Sequence, residues 1–220
     1  MNLRPSLLVR PEGAGRSVSA PLRRAAVFLD KDGTLVEDVP YNVDPQLLRF
    51  TPNAVAGLQQ MVQLGYVLVV VSNQSGLARG YFNRSQLGRL QRALCQKVKD
   101  EAGVELAGFY ACPHLPGPRD VPACLCRKPA AGMLKQAALA LNLDLSRSWM
   151  VGDILHDVEA GRRAGCRTVL LDVGNETEWR LSPLRTPHHR CADLREAARC
   201  MAQAAAQKDT AADAPRNAHA

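Results

Sequence analysis

The chain has 220 residues, a formal net charge of +7 and a pI of about 9.2. None of its apolar runs approaches the length that crosses a bilayer, and its N-terminal stretch lacks the continuous apolar core of a signal peptide, so we expect a soluble, cytoplasmic protein with no membrane partner. The basic excess lies at the two ends, since residues 1–24 carry five arginines against one glutamate and residues 185–220 carry six basic against four acidic residues. The nearly neutral region between them disfavours nucleic acid as a partner.

Composition divides the chain into three predicted segments. Residues 1–24 are rich in Pro, Gly, Ser and Arg and are predicted to form a disordered basic tail. Residues 25–185 have the length and apolar content of one α/β domain. Residues 186–220 are predicted to hold one helix, Ala192–Gln207, followed by a disordered tail.

The first predicted strand is Ala25–Leu29, an apolar run typical of a strand buried on both faces. It ends at Asp30, Asp32 follows, and Gly33 lets the chain turn away, so two carboxylates should project beyond the carboxyl end of the strand. Adjacent carboxylates repel each other unless they share a proton or bind a divalent cation, and hard oxygen ligands suit magnesium. The stretch therefore predicts a magnesium site, although a purely structural acidic turn would have a similar composition.

The next segment, residues 37–50, is an acidic loop with two prolines that we expect to lie over the mouth of this site. It is too short to form a separate cap domain. A helix is then predicted to begin at Pro52, with Thr51 as its cap, and to end at Gly65.

The second buried strand, Val67–Val71, runs into a row of small polar residues that begins with Ser72, Asn73 and Gln74. Hydroxyl, amide and backbone N–H groups at a strand end can bind the oxygens of one phosphate group. The same composition is also common in ordinary turns, so this motif alone is weak evidence for a phosphate site.

Later segments continue the alternation of helix and strand. We expect a helix capped by Ser85 and ending near Glu101, and the remaining predictions are a strand at Gly108–Ala111, a helix at Gly132–Leu141 and a strand starting at Trp149–Val151. This alternation is typical of an α/β fold, a doubly wound three-layer sandwich with a mainly parallel central sheet.

Three cysteines and one histidine lie close together in the loop at residues 112–126. Two ligand pairs, each with i, i+2 spacing, form the Cys₃His set that a structural zinc ion prefers, and they are Cys112, His114, Cys124 and Cys126. Arg127 and Lys128 follow the loop directly. A zinc staple would hold these two cations over the acidic crevice, where Lys128 could neutralise a phosphoryl oxygen and Arg127 could bind a distal group.

A last carboxylate pair follows the strand that ends at Gly152. Asp153 lies at a strand end, as Asp30 does, and could supply a further magnesium ligand. Asp157 lies in the first turn of the following helix, where capping is the usual role of an acidic residue.

Four stretches of the chain, DKDGT, VVVSNQSG, CRKP and VGDILHD, resemble in order the four motifs of the haloacid dehalogenase (HAD) superfamily of phosphohydrolases and cover roughly residues 25–175. The resemblance implies a Rossmann-like fold, Asp30 as nucleophile and Asp32 as general acid and base. It also implies magnesium bound by Asp30, Asp153 and the Asp32 backbone carbonyl, with Ser72 holding the transferred phosphoryl group.

The zinc loop, the sequence NQSGLARG and the minimal cap make the chain most similar to the D-glycero-D-manno-heptose 1,7-bisphosphate 7-phosphatases and the related histidinol-phosphate phosphatase domains. That family implies a phosphoaspartyl intermediate and a bisphosphorylated sugar whose product feeds nucleotide-heptose synthesis for lipopolysaccharide or surface glycans. Asp38, Tyr41 and Gln74 would face the sugar. Ile154 stands where these phosphatases usually have a lysine, and Val39-Pro40 replaces the usual His-Gly, which leaves substrate preference open.

Three alternative functions are compatible with the sequence. Histidinol phosphate is the nearest alternative substrate. A polynucleotide 3′-phosphatase would suit the basic charge, but the chain lacks an aromatic stacking stripe. A non-catalytic zinc-binding module would show no magnesium-dependent phosphate release.

We expect the protein to be a monomer.

Overall fold

The computed structural model describes residues 22–118 and 123–212, with side chains as far as residue 207. The predicted disordered tails lie largely outside these ranges. The strands of the described chain are β1 Ala26–Leu29, β2 Val67–Asn73, β3 Leu106–Cys112, β4 Trp149–Gly152, β5 Arg167–Leu171 and β6 His189–Cys191. The helices are α1 Ala54–Gln63, α2 Arg84–Ala102, α3 Gly132–Leu141, α4 Leu155–Ala164 and α5 Leu194–Ala212, with two short 3₁₀ helices at Pro45–Leu47 and Leu145–Arg147.

The described strands form one sheet in the order β3-β2-β1-β4-β5-β6, with every pair parallel. The chain winds outward from β1 to β3 and then returns to place β4 on the other side of β1. Leu29 pairs with both Val70 and Val151, so the end of β1 lies beside the carboxyl-terminal parts of β2 and β4. The point where winding reverses, between β1 and β4, is where open α/β sheets form their ligand crevice.

Helices cover both faces of the sheet, which confirms the predicted three-layer fold. Val27 and Leu29 face the core formed with α1, α2 and α5, whereas Ala26 and Phe28 face the core formed with α3 and α4. All four β1 side chains are fully buried. Burial on both faces explains why the strands appear in the sequence as continuous apolar runs, because alternating side chains enter different cores.

Two helix starts differ from the sequence prediction. Helix α1 begins at Ala54, and the Thr51 hydroxyl does not cap it but donates to the carbonyl of Thr34 at 2.7 Å. Helix α2 is capped by Asn83, not Ser85, because the Asn83 side chain and Gln86 form a reciprocal capping box. The Thr51 hydroxyl therefore fixes the turn after β1 and not the start of α1.

The sheet and its core continue beyond residue 185, where the sequence analysis ended the main domain. β6 pairs with β5, and the buried face of α5, which includes Leu194 and Met201, belongs to the core under α1. The segment between β1 and α1 contains only the 3₁₀ helix Pro45–Leu47, in agreement with the expected minimal cap. Within the described ranges, no helix combines the length and hydropathy required to span a bilayer.

Candidate active site and metal centres

A cavity of about 380 Å³ opens at the carboxyl ends of β1, β2 and β4. The residues that the sequence analysis assigned to catalysis, magnesium or substrate come from five separate stretches of the chain. All of them line this cavity, and they are Asp30, Asp32, Asp38, Tyr41, Ser72, Asn73, Gln74, Arg127, Lys128 and Asp153. The adjacent carboxyl ends of the parallel strands bring the residues at the ends of β1, β2 and β4 together, and the neighbouring loops supply the others.

Three carboxylates converge at the floor of the cavity. Asp30, Asp153 and Asp157 each offer an oxygen atom, and these atoms lie within 4.8 Å of one another. Their burial and their all-oxygen chemistry fit a hard divalent cation such as magnesium. Asp157 belongs to this group of oxygens, whereas the side chain of Asp32, the other acidic residue predicted at the metal, does not.

Asp153 is held on both of its oxygens. Thr34 Oγ1 donates to Oδ1 at 2.8 Å, and Asn175 Nδ2 donates to Oδ2 at 2.8 Å. Burial and the charge of Asp30 raise the pKa of Asp153 to about 6, against the opposing effect of these two hydrogen bonds. Gly33 lies so close that a Cβ there would collide with Asp153, and its φ of +75° favours glycine. The turn after β1 therefore fixes the position of the carboxylate that follows β4.

Asp32 has different partners. Lys31 Nζ forms an ion pair with its Oδ1, and Gln74 Nε2 donates to its Oδ2 at 3.3 Å. Burial raises the pKa of Asp32, with the positive charge of Lys31 opposing and the negative charge of Asp30 adding to the effect. Sequence reasoning gave Lys31 no role, although its position between two aspartates could have indicated one.

Lys128 joins the nucleophile candidate to α4. Its Nζ lies 2.7 Å from Asp30 Oδ1 and 2.6 Å from Asp157 Oδ1, and it donates to the Val71 carbonyl at 3.1 Å. Burial lowers the pKa of Lys128, but the charges of Asp157 and Asp30 outweigh burial and raise the pKa above its ordinary value. The ammonium group therefore stays protonated at the floor of the cavity.

The end of β2 holds Lys128 from the other side. The Asn73 side chain donates to the Lys128 carbonyl at 3.1 Å and accepts from the Lys128 N–H at 3.0 Å. Gln74 Nε2 donates to Ser72 Oγ at 2.8 Å, and both of these side chains are buried. Asn73 thus fixes the backbone of Lys128, while Ser72 and Gln74 lie beside the carboxylates.

Four potential zinc ligands converge in the loop after β3. Cys112 Sγ lies 3.6 Å from Cys124 Sγ and 3.5 Å from His114 Nδ1, and Cys124 Sγ lies 3.3 Å from Cys126 Sγ. These separations exceed the length of a disulfide, about 2.05 Å, and are near the roughly 3.8 Å between ligand atoms of a tetrahedral zinc site. The set fits a closed, structural zinc site.

The loop also shows how such a site would position the cations that follow it. The Arg127 N–H donates to Cys124 Sγ at 3.3 Å, and Arg127 NH1 donates to the His114 carbonyl at 3.2 Å. Burial raises the pKa of Cys124, but the Arg127 N–H and the neighbouring cysteines outweigh burial and lower it to about 7. The backbone and side chain of Arg127 are therefore both tied to the cluster.

The mouth of the cavity is formed by loops. Tyr41 has a left-handed backbone with φ 56°, and its ring packs edge-on against Tyr81 with 4.8 Å between ring centroids. Ile154, His156 and Asn175 also line the cavity, although the sequence analysis assigned none of them a binding role. Asn175 lacked any motif signal, because it follows β5, a strand that the sequence analysis did not identify.

Comparison with known proteins adds independent findings. The family model described as "HAD-hyrolase-like" matches residues 125–197. The D-glycero-beta-D-manno-heptose-1,7-bisphosphate 7-phosphatase of Haemophilus ducreyi is 43% identical over 150 residues, covering 67% of this chain and 82% of that protein. The Pasteurella multocida enzyme of the same name is 42% identical over 154 residues, covering 69% and 83%. The D,D-heptose 1,7-bisphosphate phosphatase structure from B. bronchiseptica, in complex with magnesium and phosphate, has a TM-score of 0.66 and 29% identity, covering 82% of this chain and 99% of that one.

Proposed function

Because this chain belongs to the HAD-like hydrolases and, among them, to the family of the D-glycero-D-manno-heptose-1,7-bisphosphate 7-phosphatases, we propose that it removes the 7-phosphate of that sugar bisphosphate in a magnesium-dependent hydrolysis. The observation that carries the proposal is the position of Asp30. Its carboxylate lies at the end of β1, 2.7 Å from a buried lysine and beside Asp153. A carboxylate nucleophile needs a nearby cation and an open approach for phosphate, and Asp30 has both.

In the proposed reaction, an oxygen of Asp30 attacks phosphorus and the bond from phosphorus to the sugar oxygen breaks. Asp32 gives its proton to the departing oxygen. Asp32 then takes a proton from water as that water attacks phosphorus, which breaks the bond to Asp30 and releases phosphate. Its hydrogen bond from Gln74 holds Asp32 over the same cavity as Asp30.

Lys128 and Ser72 stabilise the charge on the phosphoryl group during both steps. The Lys128 ammonium is already fixed beside Asp30, so little reorganisation is needed when charge develops. Asp30, Asp153 and the Asp32 backbone carbonyl would hold magnesium, with Asp157 beside them. That ion would neutralise phosphate charge and favour in-line attack.

The rest of the substrate would lie towards the cavity mouth. Asp38 and Tyr41 line that side and offer hydrogen bonds to sugar hydroxyl groups. Arg127, with its planar fork, would bind the distal phosphate that is not transferred. Ile154 replaces a cation usual in this family, so Arg127 and Lys128 would provide the cationic contacts to the substrate.

We further propose that Cys112, His114, Cys124 and Cys126 bind one structural zinc ion. The three thiolates require a reducing environment, which supports a cytoplasmic location. The chain is proposed to act as a monomer without nucleic acid, which light scattering coupled to gel filtration and a shift assay with oligonucleotides would check.

The test of the function is a phosphate-release assay with magnesium on both anomers of the heptose bisphosphate and on histidinol phosphate. We expect turnover of a heptose bisphosphate, with phosphorus NMR showing that the 1-phosphate is retained. Asp30→Asn should abolish turnover while the circular dichroism spectrum stays unchanged. Faster turnover of histidinol phosphate would identify that compound as the substrate instead. Retained activity in Asp30→Asn would show that Asp30 is not the nucleophile.

A further inference from the structure

A second polar cavity lies at the opposite end of the strands from the catalytic cavity. It has a volume of about 460 Å³ and lies beside the amino ends of β1, β4 and β5. We call it the arginine pocket, after four of its lining residues, Arg23, Arg24, Arg147 and Arg167. Among the described residues, it shares none of its lining with the catalytic cavity. Strand β4 separates the two, since Trp149 lines the arginine pocket and Asp153 follows the other end of the strand.

The surrounding structure fixes the backbone of Arg24 and the guanidinium group of Arg167. The Arg24 N–H donates to the Asn142 carbonyl at 3.3 Å, and the Arg24 carbonyl accepts from the Asp144 N–H at 2.8 Å. The Arg167 guanidinium lies 4.2 Å from the centre of the Trp149 ring. Trp149 is itself fixed by a hydrogen bond of 3.1 Å from its Nε1 to the hydroxyl of Tyr66, another lining residue. The pocket is therefore partly preformed.

Acidic groups of the described residues balance only a small part of the charge of the pocket. Within the described ranges, no carboxylate lines the pocket and none of its arginines forms an ion pair. Arg163 and Arg185, by contrast, both pair with Glu159. Hydrogen bonds from the N–H and hydroxyl of Ser146 and, to a smaller extent, the charge of Arg147 lower the pKa of Asp144, so this carboxylate offsets part of the charge of that one arginine. Four like charges around one cavity repel each other, and a bound anion would relieve that repulsion.

We propose that the arginine pocket is a second binding site, for a small phosphate-bearing anion. Guanidinium groups match phosphate oxygens with paired hydrogen bonds, and several of them around a concave surface select a compact, multiply charged ligand. This site is independent of the catalytic proposal, because none of its residues takes part in phosphate transfer.

Two other occupants fit the pocket less well. Residues 1–21, which precede it in the chain, contain three arginines and one glutamate and are not complementary in charge. Single-stranded nucleic acid would need an aromatic surface on which bases can stack, but Trp149 is 2% exposed and covered by Arg167. The chemistry of the lining therefore favours a small anion.

The test uses pyrophosphate without magnesium as the probe, with orthophosphate titrated in parallel to compare ligand sizes. Trp179→Phe is the background, because it leaves Trp149 as the remaining tryptophan. We expect saturable quenching or enhancement of Trp149 fluorescence, because the bound anion attracts the Arg167 guanidinium group and changes its contact with the Trp149 ring. Calorimetry on the same samples gives the dissociation constant. A response to either anion supports the site, and absence of any Trp149 response to both overturns it.

The matched variants separate this site from diffuse attraction. Arg24→Gln with Arg147→Gln, both exposed side chains, should weaken the Trp149 response at least tenfold and leave phosphate release unchanged. Arg89→Gln with Arg92→Gln removes the same charge from the exposed face of α2 and should change neither. Arg24→Lys with Arg147→Lys keeps the charge and should bind pyrophosphate with intermediate affinity. This variant replaces the glutamine variant in the test if the latter does not fold.

Three further results would overturn the proposal. The first is equal binding by the Arg24/Arg147 variant and the parent protein. The second is an equal loss in the Arg89/Arg92 control, which would indicate general electrostatic attraction. The third is tighter binding of a short oligonucleotide than of pyrophosphate, which would indicate a nucleic-acid surface.

Discussion

The Nζ atom of Lys128 lies 2.7 Å from Oδ1 of Asp30, and the Lys128 side chain is 1% exposed. The same ammonium group contacts Asp157, so one buried cation serves two buried carboxylates. This arrangement connects the cysteine-rich loop, the end of β1 and the start of α4 at one atom. It makes Lys128 important both for the stability of the fold and for the chemistry of the cavity.

Replacing Lys128 with methionine should therefore affect stability and activity together. Lys128→Met keeps most of the volume but leaves Asp30 and Asp157 without their cation, and removing one partner of a buried ion pair costs about 3–5 kcal/mol. We expect this loss in the free energy of urea unfolding, together with loss of phosphate release. Adding Asp157→Asn should restore part of the stability but not the activity. A stability loss below about 1 kcal/mol would contradict the buried pairing.

Asn175 should control the affinity of the cavity for magnesium. Its amide holds one oxygen of Asp153, and loss of such an outer partner typically weakens metal binding by about 10–100-fold. We expect Asn175→Ala to raise the magnesium dissociation constant in this range when binding is measured by calorimetry without substrate. Asn42→Ala is the control, because Asn42 lines the same cavity but accepts a hydrogen bond from Asp44. Equal magnesium affinity in Asn175→Ala and the parent protein would show that Asn175 does not control magnesium binding.

The cysteine cluster should hold about one zinc ion per chain in freshly purified protein. Cys126→Ser should lower the zinc content and the midpoint of thermal unfolding, and it should reduce phosphate release because Arg127 and Lys128 follow the loop. Cys95→Ser removes a thiol from α2, outside the cluster, and should leave zinc content unchanged. Metal analysis of the two variants decides the matter, since zinc retained in both would mean that the cluster is not the binding site.

Glu159 should contribute stability that disappears in acid. Burial raises its pKa, but Arg185 and Arg163 outweigh burial and hold the pKa below the ordinary value of 4.5. A carboxyl group with a lowered pKa stabilises the fold above its unfolded-state pKa, and the contribution is lost as the pH falls through the folded-state pKa. Glu159→Gln should cost about 1.5–3 kcal/mol near neutral pH, as expected for hydrogen bonds to a charged group, and nothing once Glu159 is protonated.

The two arginines allow a sharper version of this measurement. The Arg185 side chain is 18% exposed, whereas that of Arg163 is 49% exposed. Double-mutant cycles in urea should therefore give a larger coupling energy for Glu159 with Arg185 than with Arg163. Equal couplings, or a Glu159→Gln effect that does not change with pH, would contradict the assignment.

Several features of the site followed from short stretches of sequence. An apolar run that ends at Asp30 or Ser72 marks both a buried strand and the polar group at its end, because burial on both faces must stop there. The i, i+2 pairs in the cysteine loop likewise indicate a shared ligand centre without reference to the rest of the fold. Helix caps were less certain, as Thr51 shows, because a hydroxyl group can bond to a distant carbonyl instead of the nearest helix.

The sequence by itself determined the alternation of apolar and polar segments along the chain, the doubly wound fold class and the residues grouped at the carboxyl ends of the strands. Only the tertiary structure decided which atoms meet. It showed that Lys128 bridges Asp30 and Asp157, that Asn175 holds Asp153 and that four arginines surround one cavity. Local patterns reflect bonding between near neighbours in the chain, whereas these contacts depend on the register of parallel strands and on the packing of helices against them.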